Sequence, residues 1–375
     1  MRSVALVTNG AMSVANFRGQ VVAELARRGV RVHALAPDWC DRTRAAARAC
    51  GAEPVDISLS RTGMNPVRDG ADVLRLAATL RRLRPDAVLT YFVKPNIYGT
   101  LAATVARVPR RIAMVEGLGV VFDAEMAATR KRRLLRGVNK ALYRAAFAHA
   151  DKVLFLNRED EAFFVRERLV AAAKAIRFGA IGVDLNAFAA VPPVAAPITF
   201  VMMARLVRQK GVLVFAEAAA KVRAVAPDAR FLLLGAFDSN PDSLGPADLE
   251  HYINDGTIDW PGHVDDVRAR LAAASVFVLP SWYPEGVPRS SQEAAAMGKP
   301  VITTDAVGCR DTVEDGVNGL LVPPRNVDAL AAAMLRFVRE PRLIASMGAA
   351  SRRMAEARWD GAQKAAELAD LLLPH

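Results

Sequence analysis

Short, almost wholly apolar runs recur along this chain, each followed by a longer stretch with helical spacing. This alternation constrains the fold more than any other feature. Val4–Thr8 reads as a strand, Phe17–Arg28 as a helix closed by Gly29, and Val30–Ala36 as the next strand, ended by Pro37-Asp38. Glycine just past a helix takes the left-handed cap without steric penalty. Further apolar runs fall at Ala87–Thr90, Arg111–Val115 and Lys152–Leu156, with helical patterns between them. Strands apolar on both faces belong in a parallel sheet covered by helices on both sides.

Val191-Pro192-Pro193-Val194-Ala195-Ala196-Pro197 interrupts the pattern, and its three prolines predict a stiff linker. The alternation restarts with strands at Ile198–Met203, Arg230–Leu234, near Ile258, at Val276–Pro280 and at Val301–Thr303. Helices are predicted from Gly211, from about Arg289, and from about Pro341 to near the end. A chain of 375 residues exceeds what one core usually holds. The expectation is an α/β protein of two Rossmann-like, doubly wound parallel-sheet domains, residues 1–190 and 198–375, with 191–197 between them. Ligands of such sheets bind at the carboxyl ends of the strands, here in a cleft between the two domains.

Charge separates the halves. Residues 1–190 hold 31 Lys and Arg against 17 Asp and Glu, whereas residues 191–375 hold 19 against 22, for a net charge of +11. Such an excess asks for an anionic partner: nucleic acid, a membrane surface or a phosphorylated substrate. Aromatic residues are only 6% of the chain, too few for nucleic-acid stacking platforms, and no reading helix is recognisable. The three cysteines, Cys40, Cys50 and Cys309, form neither a zinc motif nor a disulfide framework, which fits a reducing compartment. Met1–Gly10 reads as a strand entering a loop rather than a signal peptide, and no apolar run approaches a bilayer span. The expected location is cytoplasmic.

The stretch with most chemistry in it is Pro284-Glu285-Gly286-Val287-Pro288-Arg289-Ser290-Ser291-Gln292-Glu293. It follows an apolar strand and opens a helix. A helix start at Gly286, Val287 and Pro288 offers backbone N–H groups and a positive dipole end to a diphosphate. Glu285 in front of that site could hold sugar hydroxyls, and Glu293, about two turns on, could clamp a ribose diol. Upstream, Arg205 and Lys210 lie in the strand-to-helix loop Ala204–Gly211, where a forked and a point cation suit a phosphate. In the first half, Gly10 follows the first strand and would let backbone approach a ligand. Asn16 and Arg18, at the start of the next helix, would face an acceptor diphosphate. Glu116 follows a strand and could contact the acceptor or the reacting centre, or simply pair with a neighbouring arginine. Gly117-x-Gly119-x-x-Phe122 lacks the third glycine of a nicotinamide-binding fingerprint.

Taken in order, these stretches resemble the retaining nucleotide-sugar glycosyltransferases of family four, which have the GT-B fold. The likeness rests on Arg205-x4-Lys210-Gly211, the Glu285-x7-Glu293 pair, Gly182-Val183-Asp184, and Val301–Val313 followed by Asp315-Gly316-Val317-Asn318-Gly319. Asn16-Phe17-Arg18, Lys94–Gly99, Glu116–Phe122 and Pro288-Arg289-Ser290 are similar to a bacterial subgroup that extends undecaprenyl-diphosphate-linked glycans. The resemblance implies a nucleotide-sugar donor, a UDP-sugar ahead of a GDP-sugar, as substrate rather than cofactor. It implies a polyprenyl-diphosphate-linked saccharide as acceptor, retention at the anomeric carbon, and no metal. Arg205, Lys210 and Glu285 would be catalytic, Gly286, Val287, Pro288 and Glu293 would bind the donor, and the final helix would return to the first domain.

Thr129–Arg144 reads as an amphipathic helix with Leu134, Leu135, Val138, Leu142 and Tyr143 on its apolar side. Arg130, Lys131, Arg132, Arg133 and Arg136 crowd one end of it. A basic, leucine-bearing helix suits an anionic bilayer, so the chain is expected at the inner face of the cell membrane. Two other readings are a nucleotide-sugar 2-epimerase of the same fold and a non-enzymatic basic binder of nucleic acid or lipid surface. The epimerase is weakened by five histidines that do not cluster in the sequence.

Overall fold

The computed structural model describes residues 2–59, 65–119, 122, 130–238 and 243–373; of Arg130, Lys131 and Arg132 it describes only the helical backbone. It divides into two compact units, Met1–Ile181 with Gly361–His375, and Gly182–Asp360.

In the first unit, strands β1 (Ser3–Val7), β2 (Arg31–Ala36), β3 (Ala52–Asp56), β4 (Ala87–Tyr91), β5 (Arg110–Val115), β6 (Lys152–Phe155) and β7 (Ala175–Arg177) form one sheet in the order β3-β2-β1-β4-β5-β6-β7. All the pairings are parallel. Every residue of β1 and β4 is buried, as their apolar sequences require. Helices α1 (Met12–Arg27), α2 (Asp41–Cys50), α3 (Pro66–Leu83), α4 (Thr100–Val105), α5 (Arg130–His149) and α6 (Arg158–Arg166) cover the sheet. One core cluster joins Ala5, Val7 and Val88 to Leu76 and Leu80 of α3. The other joins Val115, Val153 and Phe155 to Tyr143 and Phe147 of α5 and Phe164 of α6. The edge strand β3 escapes the apolar pattern because its sequence, Ala-Glu-Pro-Val-Asp, is half exposed, and an edge tolerates Pro54.

The second unit holds β8 (Thr199–Met203), β9 (Arg230–Leu234), β10 (Val276–Leu279), β11 (Val301–Thr304) and β12 (Gly319–Val322), parallel in the order β12-β11-β10-β8-β9. Helices α7 (Val212–Val225), α8 (Pro246–Asn254), α9 (Arg268–Ala273), α10 (Arg289–Ala296), α11 (Val327–Arg339) and α12 (Arg342–Arg358) complete it. The segment near Ile258 is not a strand; Asp259 makes a single bridge to Leu232.

Two boundaries differ from the sequence expectation. The first unit ends at Ile181, not at residue 190, because Val183 donates its N–H to Trp359 and Arg352 reaches the carbonyls of Leu185 and Phe188. The C-terminal helical stretch is two helices broken at Trp359-Asp360, where Val183 bridges Asp360. The last one, α13 (Gly361–Leu372), packs on α1, with Arg28 paired to Asp370 at 2.5 Å and Arg110 Nε on the Leu371 carbonyl.

One buried charge makes the stability of the second unit pH-dependent. Lys299, 1% exposed, donates to the carbonyls of Ala272 and Ala274 at 3.0 and 2.7 Å. Burial pulls its ammonium from 10.5 down to about 8. Between those values the unfolded chain holds the proton that the native chain has released, so stability from this group rises with pH there. The denaturation midpoint of the natural chain relative to Lys299→Met is expected to climb from about pH 8 to about pH 10.5. A difference flat across that window would contradict it.

Candidate active site

In the second sheet the strand order reverses direction between β8 and β10, and ligands of open α/β sheets bind at such a switch point. The loops leaving these two strands carry Arg205, Lys210 and Glu285. After β8, a turn of 3-10 helix at Arg208–Lys210 is closed by Gly211 at φ 80, and α7 begins. A Cβ at Gly211 would strike the Pro280 carbonyl, so the turn lies directly against the end of β10. The Gln209 carbonyl joins the two loops, accepting from the N–H groups of Trp282 (2.9 Å) and Tyr283 (3.2 Å).

This stitching brings Lys210 Nζ onto Glu285 Oε1 as an ion pair, both side chains mostly buried. Ser281 Oγ lies 3.2 Å from the same carboxylate oxygen, and the Tyr283 ring centroid lies 5.6 Å from Lys210 Nζ. A third loop closes the floor: Gly308, at φ 76 after β11, is so close that a Cβ would collide with the carbonyls of Glu285 and Gly286. Cys309 beside it is buried, and desolvation pushes its thiol up to about 12, so it stays a protonated thiol rather than a nucleophile.

Arg205 is held by Asp238 at 2.6 Å, and Glu293 by Arg289, one turn back on α10, at 2.8 Å. Burial pushes the Glu293 carboxyl up while Arg289 opposes it. Gly286, Val287 and Pro288 are buried in a bent loop, and α10 starts only at Arg289, so Glu293 sits one turn into the helix rather than two. The first N–H groups of α10 are the ones that lack intrahelical acceptors.

In the first sheet the switch point falls between β1 and β4. Gly10 has open space around it and a negative φ, so its conformation does not demand glycine. Its carbonyl accepts from Ser13 Oγ at 2.5 Å. Because α1 starts at Met12, Asn16 and Arg18 lie beyond its first turn rather than at its start. Arg18 is not an exposed cation awaiting a diphosphate. It is 2% exposed, ion-paired with Glu116 and stacked on the Tyr91 ring at 4.3 Å.

Residues 16–185 match the model of Glycosyltransferase Family 4, and residues 197–340 match that of Glycosyl transferases group 1. The chain belongs to the family-four glycosyltransferases. It is 28% identical to the N,N'-diacetylbacillosaminyl-diphospho-undecaprenol alpha-1,3-N-acetylgalactosaminyltransferase of Campylobacter jejuni, over 91% of this chain and 90% of that one. It is 29% identical to the UDP-Gal:alpha-D-GlcNAc-diphosphoundecaprenol alpha-1,3-galactosyltransferase of Escherichia coli, over 72% of this chain and 70% of that one. Among solved structures, Anabaena HepE in complex with UDP and glucose superposes with a TM-score of 0.79 at 16% identity, covering 99% of each chain. The fold is GT-B, with two Rossmann-like parallel-sheet domains.

Four residues adjoin the expected site residues without having been expected there themselves. Asp238, Ser281, Tyr283 and Gly308 all touch the expected site residues, and only Gly308 stood inside a stretch that the resemblance covered. Asp238 and Ser281 carry no local signal, since their contacts come from loops distant in sequence. The basic helix also differs from expectation. The side chains of Arg130, Lys131 and Arg132 lie outside the described residues, Arg133 is exposed, and Arg136 is half-buried. Its apolar side is split: Tyr143 is core, whereas Leu134 and Val138, one turn apart, are 69% and 39% exposed. No helix among the described residues is long and apolar enough to cross a membrane.

Proposed function

We propose that this glycosyltransferase moves a hexose or N-acetylhexosamine from a UDP-sugar to a polyprenyl-diphosphate-linked saccharide during synthesis of a surface glycan. Transfer proceeds with retention and without a metal, on the inner face of the cell membrane. The observation that carries the reading is the Lys210–Glu285 pair at the switch point of the second sheet. Lys210, with Arg205 and the N–H groups opening α10, stabilises the charge that builds on the leaving diphosphate. Glu285 positions the donor sugar, and Glu293 holds the ribose. The acceptor hydroxyl attacks the anomeric carbon from the face the diphosphate leaves, and its proton departs with that leaving group. Both relatives named above act on diphosphoundecaprenol-linked sugars and form alpha linkages by name, which supports this acceptor class and retention. Both are transferases, so the epimerase reading gains nothing from them.

A panel of UDP- and GDP-sugars, offered with a short-chain prenyl-diphosphate saccharide, tests the reading. UDP release coupled to an α-linked product, unchanged by EDTA, is expected. Transfer from GDP-sugars only, a β-linked product or loss of activity in EDTA would each remove the corresponding element.

Membrane attachment is supported by Leu134 and Val138 standing beside exposed Arg133 on α5. The glycosyltransferase is expected to sediment with anionic vesicles at low salt and to release as salt rises, because the attraction is screened beyond a Debye length. Leu134→Glu together with Val138→Glu should abolish it. Vesicle binding that survives both changes would place the membrane contact elsewhere.

A further inference from the structure

Glu116 is the first residue past the carboxyl end of β5, beside the switch point of the first sheet. Its Oε1 pairs with Arg18 Nη2, and its Oε2 takes no bond from the described residues. Arg18 has no freedom to do anything else. Its Nη1 donates to the Phe17 carbonyl at 2.9 Å, its Nη2 also meets Met114 Sδ at 3.3 Å, and the Tyr91 ring lies beneath it. Tyr91 is itself fixed, its hydroxyl 3.1 Å from Ser13 Oγ, which in turn lies 3.1 Å from Thr8 Oγ1. Arg18 Nε is buried with no acceptor.

This is a poor way to stabilise a fold. Two charges are removed from water, one donor is left unpaired, and a hydrophobic side chain of the same length would fill the space as well or better. It is a good way to aim a carboxylate. A guanidinium clamped between a ring and a main-chain carbonyl lets Glu116 adopt one orientation, with one oxygen turned inward. Side-chain exposure falls across the pair from 12% at Glu116 to 1% at Arg18, so Glu116 is the member that meets solvent.

We propose that Arg18 is a positioning residue: it orients Glu116, whose Oε2 accepts a hydrogen bond from the acceptor hydroxyl and points that hydroxyl for attack. The inference rests on the transfer reaction proposed above and adds the group that fixes the acceptor. No proton is assigned to Glu116; it leaves with the diphosphate.

The test uses the full chain and compares Arg18→Met, Arg18→Lys, Glu116→Ala and the double variant Arg18→Met/Glu116→Ala. Two rates are measured: transfer to a short-chain prenyl-diphosphate saccharide, and slow UDP release from the donor without acceptor. Arg18→Met is expected to lower kcat for transfer about 10²-fold, the effect of a misplaced reacting group, with donor KM and acceptor-free UDP release unchanged. Arg18→Lys keeps the charge but not the planar fork, and recovers only part of the loss. The double variant is expected to transfer no more slowly than Glu116→Ala alone, because both changes remove one unit. Arg18→Met that transfers like the natural chain, or single losses that multiply in the double variant, would overturn the proposal. Should Arg18→Met fail to fold, Arg18→Lys decides: a folded Lys variant with undiminished kcat overturns the proposal as well. A natural chain that transfers only to acceptors of another class overturns the acceptor reading instead, and the Arg18 comparison is then made with that acceptor.

Discussion

Lys210→Ala or Glu285→Ala is expected to reduce sugar transfer about 10²- to 10³-fold, the range for removing one preorganised donor from the site where charge develops. The two losses have different origins. Lys210 is the cation paired with Glu285 in the loop after β10, so its removal takes away stabilisation of the departing diphosphate. Glu285 holds Lys210 in place, with Ser281 at 3.2 Å from the same oxygen, and its removal releases the ammonium as well as the sugar contact. The pair should therefore be coupled, with the double variant little worse than either single one. Truncating one member also leaves the other charge unpaired at a largely buried position, which disfavours the local structure. Glu285→Gln keeps the shape and the hydrogen bond to Ser281 while losing the charge, and it separates the two effects. Circular dichroism and a thermal melt should show both alanine variants folded. Turnover near that of the natural chain in either would remove Lys210 and Glu285 from the chemistry.

Gly308→Ala is expected to be nearly as damaging, although the residue carries no reactive group. Its φ of 76 is unfavourable for a side chain, and the added methyl would meet the carbonyls of Glu285 and Gly286. Backbone atoms on a loop stitched to Gln209 cannot step aside independently, so the methyl pushes Glu285 itself. A shift of about 1 Å at a positioned group costs on the order of 10²-fold in rate. The variant should show a fall in kcat with a smaller change in melting temperature. Gly316, also at positive φ (76) but with open space around it, provides the control. Gly316→Ala should lose some stability and keep its kcat. Equal activity in the two variants would show that the contact with the Glu285 loop is unimportant.

Much of the candidate donor site is legible in the sequence. Arg205, Lys210, Glu285 and Glu293 stand out as candidates because each belongs to a short pattern that follows an apolar strand, and local pattern is what a single chain displays. Their partnership was less legible. The eight-residue spacing predicts Glu293 two turns from Glu285, yet α10 begins at Arg289 and pairs Glu293 with Arg289. Arg18 shows the limit most plainly. Standing in a basic half of the chain, it reads as a cation for an anionic substrate. In the fold it is enclosed by Tyr91 and Glu116, 73 and 98 positions away in the chain.

The sequence by itself determined the fold class of this glycosyltransferase, its two-sheet organisation and the loops that carry its candidate site. Strand burial, helix period and glycine or proline punctuation are local properties, written in consecutive residues. The tertiary structure alone decided which charges meet. Lys210 reaches Glu285 because β8 and β10 are neighbours in the sheet though not in the chain. Arg18 is a buried brace rather than a surface cation because β4 and β5 end beneath α1. Ion pairs between loops depend on strand order and on desolvation, and neither is expressed in the residues on either side of a charge. The +11 of the whole chain is therefore a poor guide to where a substrate anion would find an open cation.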